Sequence, residues 1–77
     1  MRAQLKVKHA DFKNMMSRGF KVKGRRADGA METWRIEELE LVGVVGDIAR
    51  QEVTIIFEST EFMKTGGDAE LQLLGVA

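Results

Sequence analysis

The clearest chemical signal in the sequence is a row of cations at alternate positions within residues 21–25. Side chains two residues apart on a β-strand share a face and stand ~6.5–7 Å apart, which is comparable with phosphate spacing along one nucleic-acid strand. The predicted anion-binding set is Lys21, Lys23, Arg25, Arg26 at the following turn, and Arg35, joined by Lys6 and Lys8 if the first strand lies alongside. We predict no aromatic side chain on that face, so we expect backbone contact without base stacking.

The chain has a net charge of zero, but its charges are unevenly distributed. Residues 1–27 carry nine Lys and Arg against one acid, a net of +8, and residues 28–77 carry three against eleven, a net of −8. This asymmetry favours an anionic partner for the N-terminal third of the chain. The alternative is local neutralisation, in which an antiparallel sheet sets basic strands beside acidic ones. The sequence leaves both interpretations open.

Residues suited to catalysis or metal binding are sparse. His9 is the single histidine, there is no cysteine, and neither Ser17 nor Ser59 lies in a nucleophile-elbow motif. The acidic residues lack the spacing of a calcium-binding loop. We therefore predict a non-enzymatic protein with no catalytic residue, no metal, no cofactor and no small-molecule substrate.

Hydrophobic alternation predicts the elements that position the cations. The segment Gln51–Glu58 is the richest in β-branched residues, and its alternate positions Val53, Ile55 and Phe57 are expected to face the core. The complete set is a strand at Gln4–Lys8, a helix over His9 to Gly19, strands at Phe20–Arg25, Ala30–Val45 and Gln51–Glu58, an edge strand at Thr60–Lys64, a turn at 65–68 and a last strand at Glu70–Val76.

An Asp-Gly pair predicts a hairpin turn over residues 27–29. Closing the hairpin there sets Val22 opposite Trp34 and Phe20 opposite Ile36, so that both pairs are apolar and share one face. The other face of the first strand then carries its lysines and arginine. The hairpin register therefore determines whether the cations form a continuous surface.

The long strand at residues 30–45 changes its apolar phase at Glu37 and Glu38, which predicts a β-bulge. A three-residue loop over residues 46–48 would then return the chain. The pairings that follow from this loop and bulge are Leu41 with Val53, Leu39 with Ile55, and Ile36 with Phe57.

Four apolar residues have no place in the predicted core: Val42 and Ile56 on the outer face, and Leu74 and Val76 near the C-terminus. Of these, Val42, Ile56 and Leu74 are the predicted interface residues. Surplus apolar surface on a small domain favours association. We therefore predict a binding or assembly module that docks on a larger protein or self-associates and has a basic face on its first hairpin. Small domains without catalytic motifs are typical of accessory proteins of phages and mobile elements. The alternative is sequence-nonspecific binding of nucleic acid through the cations.

The whole chain, residues 1–77, is predicted to be one domain. The expected fold class is α+β: a small curled antiparallel sheet of four to five strands, with a barrel-like form left open, and one short helix near the N-terminus. No apolar segment has the length of a signal-peptide core or of a membrane span. We therefore expect a cytoplasmic protein with no membrane partner.

Overall fold

The computed structural model describes residues 1–64 and 69–76 of the chain. Its elements are β1 (Arg2–Lys8), α1 (His9–Arg18), β2 (Phe20–Arg25), β3 (Met31–Arg35), a 3-10 turn (Ile36–Glu38), β4 (Glu40–Asp47), β5 (Glu52–Glu58), β6 (Ala69–Glu70) and β7 (Gln72–Val76). The predicted α+β class, with one short helix near the N-terminus, is confirmed. The turn predicted over residues 65–68 lies outside the described residues.

The described strands form two sheets, one with the order β4-β5-β1-β6 and one with the order β3-β2-β7. Neighbouring strands are antiparallel except β1 and β6, which run parallel. The predicted antiparallel character is therefore confirmed. The strands are nevertheless divided between two sheets, and within the described residues they do not close into a barrel.

Burial of one face of β1 and β5 follows from their alternating sequences. In the antiparallel register of these strands, Leu5 is opposite Ile55 and Val7 is opposite Val53. The core-facing side chains are all buried: Ala3, Leu5 and Val7 on β1, and Val53, Ile55 and Phe57 on β5. The sequence predictions for both strands are confirmed.

The helix α1 connects β1 to β2 and contributes chiefly Met15 to the core. Met15 is buried and Phe12 packs against the core from a half-buried position, whereas Met16 is exposed. Gly19 ends the helix with a φ of 80°, and its N–H donates to the Met15 carbonyl at 2.8 Å. The helix is ten residues long, and no helix within the described ranges is long and apolar enough to cross a membrane.

The hairpin of β2 and β3 has the predicted register, with Val22 opposite Trp34. Its turn is held by Asp28, whose Oδ1 accepts a hydrogen bond from the Ala30 N–H at 3.0 Å, and Gly29 adopts a φ of 88° that favours glycine. The predicted pairing of Phe20 with residue 36 does not form, because β3 ends at residue 35 and the chain turns away.

The prediction of a single long strand over residues 30–45 is wrong. The chain leaves the three-stranded sheet after β3, makes the 3-10 turn, and enters the four-stranded sheet as β4. The Leu39 N–H donates to the Ile36 carbonyl at 3.1 Å and closes this turn. The phase slip at Glu37 and Glu38 thus marks a change of sheet, because a tight turn reverses the apolar face as effectively as a bulge does.

The predicted register of β4 against β5 is also wrong. The connecting turn covers residues 48–51, where the Arg50 N–H donates to Asp47 Oδ1 at 3.2 Å. This longer turn places Leu41 opposite Phe57 and Val44 opposite Ile55, with a bulge between residues 41 and 43. Consequently the predicted pairs of Leu41 with Val53, Leu39 with Ile55, and Ile36 with Phe57 do not form.

The C-terminal segment also departs from the predicted strands. Residues 60–64 make a turn with one isolated bridge between Arg26 and Phe62, where an edge strand was expected. The buried Phe62 ring packs edge-on against Trp34, with centroids 5.2 Å apart. The predicted last strand is interrupted at the buried Leu71, where the chain passes from β6 in one sheet to β7 in the other.

Close packing at Gly24 yields a test of this core. A Cβ atom at Gly24 would lie 2.5 Å from Leu71 Cδ2 and 3.3 Å from Trp34 Cζ3, so the leucine would have to move and the buried tryptophan ring would have to shift slightly. We expect Gly24→Ala to lower the free energy of unfolding by about 1–3 kcal/mol in thermal or urea denaturation. Gly46→Ala is the control, because a Cβ there meets nothing within 4 Å. Equal effects of the two substitutions would contradict this packing.

Candidate functional site

Four of the predicted cations share the outer face of the three-stranded sheet. Lys21 is directly opposite Arg35, Lys23 is opposite Thr33, and the alternate side chains of β2 are buried in the core. Because successive side chains of a strand point to opposite faces, burial of one set holds the cations outward. We call this surface the basic face and define it as Lys21, Lys23, Arg25 and Arg35.

The basic face has no acidic residue in strand register with its lysines. On the β3 side, Lys21 meets another cation, and on the β7 side Lys21 is opposite Gly75 while Lys23 is opposite Gln72. Arg25 Nη1 donates to the Gly29 carbonyl at 2.9 Å. The ion pairs found within residues 1–64 and 69–76 involve none of the four cations. Like charges directly opposite each other are destabilising, so we expect repulsion between Lys21 and Arg35.

Arg26 lies at the turn as predicted, but two carboxylates engage its guanidinium. Its Nη2 lies 2.7 Å from Asp28 Oδ2, and its Nη1 lies 3.3 Å from Glu32 Oε2. The hydrogen bond and charge of Asp28 raise the pKa of Arg26, and Arg26 in turn lowers the pKa of Asp28. Arg26 therefore stabilises the turn, and we do not include it in the basic face.

Lys6 and Lys8 do not join the basic face, because β1 pairs with β5 and β6 and not with β2. Both lysines are exposed on the outer side of the four-stranded sheet. Lys8 is opposite Glu52 in the strand register, and Arg2 is opposite Glu58. The register of this sheet therefore sets two cations of β1 beside glutamates of β5, whereas the register of the three-stranded sheet sets no acid beside Lys21 or Lys23.

One cation that the sequence analysis omitted lies beside the basic face. Arg18, in the last turn of α1, lines a cavity of about 270 Å³ together with Lys21, Arg35 and Glu37. The signal available in the sequence was a basic residue at the helix end, one position before the glycine that precedes β2. At the opposite end, Glu70 lines a second cavity with Lys23 and Arg25. Acidic residues thus border the basic face at both ends.

A second surface lies along β4, at the edge of the four-stranded sheet. β4 pairs with β5 along one side, and along its other side it pairs with no strand of the described residues. Its exposed apolar side chains are Leu41, Val42, Val44 and Val45, with exposed fractions between 38 and 57%. We call these four residues the apolar edge.

Two neighbours extend the apolar edge. Ile48 in the following turn is 94% exposed, and Ile56 on β5 is half-buried beside Gly43. Of the predicted interface residues, Val42 and Ile56 therefore lie in one region of the four-stranded sheet. Leu74 is 50% exposed but lies on β7, an edge strand of the other sheet.

A cavity of about 790 Å³ lies between the start of α1 and the turn after β4. His9 and Glu52 line it, and so do Asp47 and Arg50, whose charged groups approach to 3.9 Å. No group of three or more potential metal ligands occurs among the residues that the structure describes.

The expected repulsion within the basic face can be tested by measuring the free energy of unfolding after one of its cations is removed. We expect Lys21→Gln to raise the free energy of unfolding by about 0.5 kcal/mol at low salt, because it removes a cation opposite Arg35. The gain should shrink as salt rises. Lys6→Gln is the matched control, since Lys6 is exposed at mid-strand and opposite Thr54. A destabilised Lys21→Gln variant at low salt would refute the repulsion.

The ion pair between Arg26 and Asp28 predicts that the stability of the fold depends on pH in the acidic range. Because Arg26 lowers the pKa of Asp28 below its ordinary value of 3.8, the carboxylate stabilises the folded state above that value, and the stabilisation is lost as pH falls through the folded pKa. We expect Asp28→Asn to lack this part of the acid dependence when thermal stability is followed from neutral to acidic pH. Superimposable pH profiles of the two proteins would contradict the expectation. The effect should be small, because the pair is exposed.

No protein-family model, curated protein or solved structure matches this chain. The inference of function therefore depends on the geometry and charge of the basic face and the apolar edge.

Proposed function

We propose that the protein is a non-enzymatic assembly module that associates through the open edge of β4. The observation that carries the proposal is the apolar edge itself: an eight-residue edge strand with four exposed apolar side chains. An exposed edge strand presents unpaired N–H and C=O groups that can accept another strand. Main-chain hydrogen bonds would then supply affinity, and the apolar side chains would supply specificity.

The composition of β4 supports this role. Edge strands that avoid pairing commonly carry lysine, proline or an inward-facing charge, whereas the charges of β4 are confined to its two ends, at Glu40 and Asp47. The bulge between residues 41 and 43 is the one protective feature of β4 that the described residues show. Beyond it, Val44 and Val45 continue the exposed apolar surface toward Ile48.

We propose a second copy of the chain as the partner, with β4 of one copy pairing to β7 of the next. β7 is also an edge strand within the described residues, it carries no charged residue, and its exposed apolar side chains are Leu73, Leu74 and Val76. Full antiparallel pairing of two β4 strands would instead bring Glu40 of one copy opposite Asp47 of the other. Contact between unlike edges generates rings or open chains of protomers.

The test is sedimentation of the purified chain over a range of concentrations. We expect the wild type to form oligomers, whereas Val45→Lys on β4 and Leu74→Lys on β7 should each be monomeric, because a charge in an apolar strand interface is costly. Met16→Lys is the control, since Met16 is 41% exposed on the helix and lies on neither edge.

Mixing the two monomeric variants distinguishes the two possible contacts. Under β4–β7 pairing each variant retains one intact edge, so the mixture should form a dimer that grows no further. Under β4–β4 pairing, Leu74→Lys alone should still dimerise. Adding Val45→Lys should then produce no complex that contains both variants. A wild-type chain that stays monomeric at all concentrations would contradict self-assembly.

A further inference from the structure

We infer that the basic face is a separate binding site for the phosphodiester backbone of single-stranded nucleic acid. The inference begins with the repulsion between its cations. Lys21 is directly opposite Arg35, and the neighbouring positions on β7 are uncharged. In the other sheet of the same chain, cations of β1 are opposite glutamates of β5. A surface that concentrates positive charge without neutralising it is an electrostatic site for an anion.

The spacing of the cations fits a chain of phosphates. The cations of β2 occupy alternate positions on one face, so they stand ~6.5–7 Å apart along the strand. Arg35 on β3 adds a guanidinium beside Lys21, and guanidinium groups can bind a phosphate through two parallel hydrogen bonds. Arg18 widens this end of the face around the cavity of about 270 Å³.

The side chains around the cations favour a nucleic-acid backbone over a membrane surface. The neutral strand partners of the lysines are Thr33, Gln72 and Gly75, none of which is a large apolar side chain. Met31, opposite Arg25, is apolar and 48% exposed, but a single methionine is a small surface for insertion into lipid. Phe20 and Trp34 are buried on the opposite side of the sheet, so bases have no aromatic platform on which to stack. Binding should therefore be independent of sequence and dominated by phosphate contacts.

The bordering acids limit the length of the site. Glu37 lies at the cavity beside Arg35, and Glu70 lies at the cavity beside Arg25. Between these two acids the basic face has four cations, so we expect about four phosphate contacts. The number of contacts determines how steeply the affinity falls as the salt concentration rises. Each phosphate contact to a single strand contributes about −0.7 to the slope of log K against log salt concentration, so four contacts predict a slope of about −2.8.

The experiment is fluorescence anisotropy of a labelled oligothymidylate titrated with the full chain at several salt concentrations. The predicted slope corresponds to an affinity loss of about 50-fold between about 50 and 200 mM salt. The double variant Lys21→Gln/Arg35→Gln should bind more weakly at low salt and lose only about 7-fold over the same range, because two contacts remain. Thermal denaturation should show that this variant is folded.

The matched control is Lys6→Gln/Lys8→Gln, which removes the same charge from the outer side of the other sheet. It should bind the oligonucleotide like the wild type. Equal losses in the two double variants would overturn the inference, because they would reflect net charge alone. No binding at low salt would overturn it too, and so would tighter binding to duplex DNA or to phosphatidylserine vesicles than to the single strand. Binding retained by Val45→Lys would show that the site is independent of the proposed assembly.

Discussion

Contact between the two sheets is the constraint on which the rest of the structure depends. Phe20 on β2 meets Phe57 on β5 in an edge-on arrangement, with ring centroids 6.5 Å apart. Trp34 on β3 meets Phe62 in a similar contact, and both rings are buried. Within the described residues, these rings belong to one continuous cluster of buried apolar side chains drawn from both sheets. Because one face of each central strand is committed to this core, everything on the alternate positions must face outward.

That constraint explains why the cations of β2 form one surface. Once Phe20 and Val22 are buried, the lysines between and after them have no position other than the outer face. The pairing of β2 with β3 then brings Arg35 beside Lys21. In the four-stranded sheet the same alternation has the opposite electrostatic result, because β1 lies next to the acidic positions of β5. One chain with no net charge thus has one sheet that mixes acidic and basic strands and one sheet with a basic outer face.

The small core also accounts for the exposed edges. β4 packs almost entirely against β5, so its apolar side chains extend past the rim of the core. β7 is an edge strand of the other sheet, and its apolar side chains are exposed as well. These edges are two different surfaces of the protein, as a heterologous contact between successive copies requires. The residues of the basic face lie on β2 and β3 and on neither of these edges, so we expect separate substitutions to alter the proposed assembly and the proposed anion binding.

The sequence by itself determined the parts of the structure that depend on local periodicity and turn chemistry. It predicted the buried sides of β1, β2 and β5, the helix, and the β2–β3 register, because an Asp-Gly turn and two-residue alternation leave few choices for a hairpin. Only the tertiary structure decided the change of sheet at Ile36–Glu38, the β4 register, and the separation of Lys6 and Lys8 from the basic face. Those features depend on which distant strands become neighbours, and the same local pattern fits a bulge in one sheet or a turn between two.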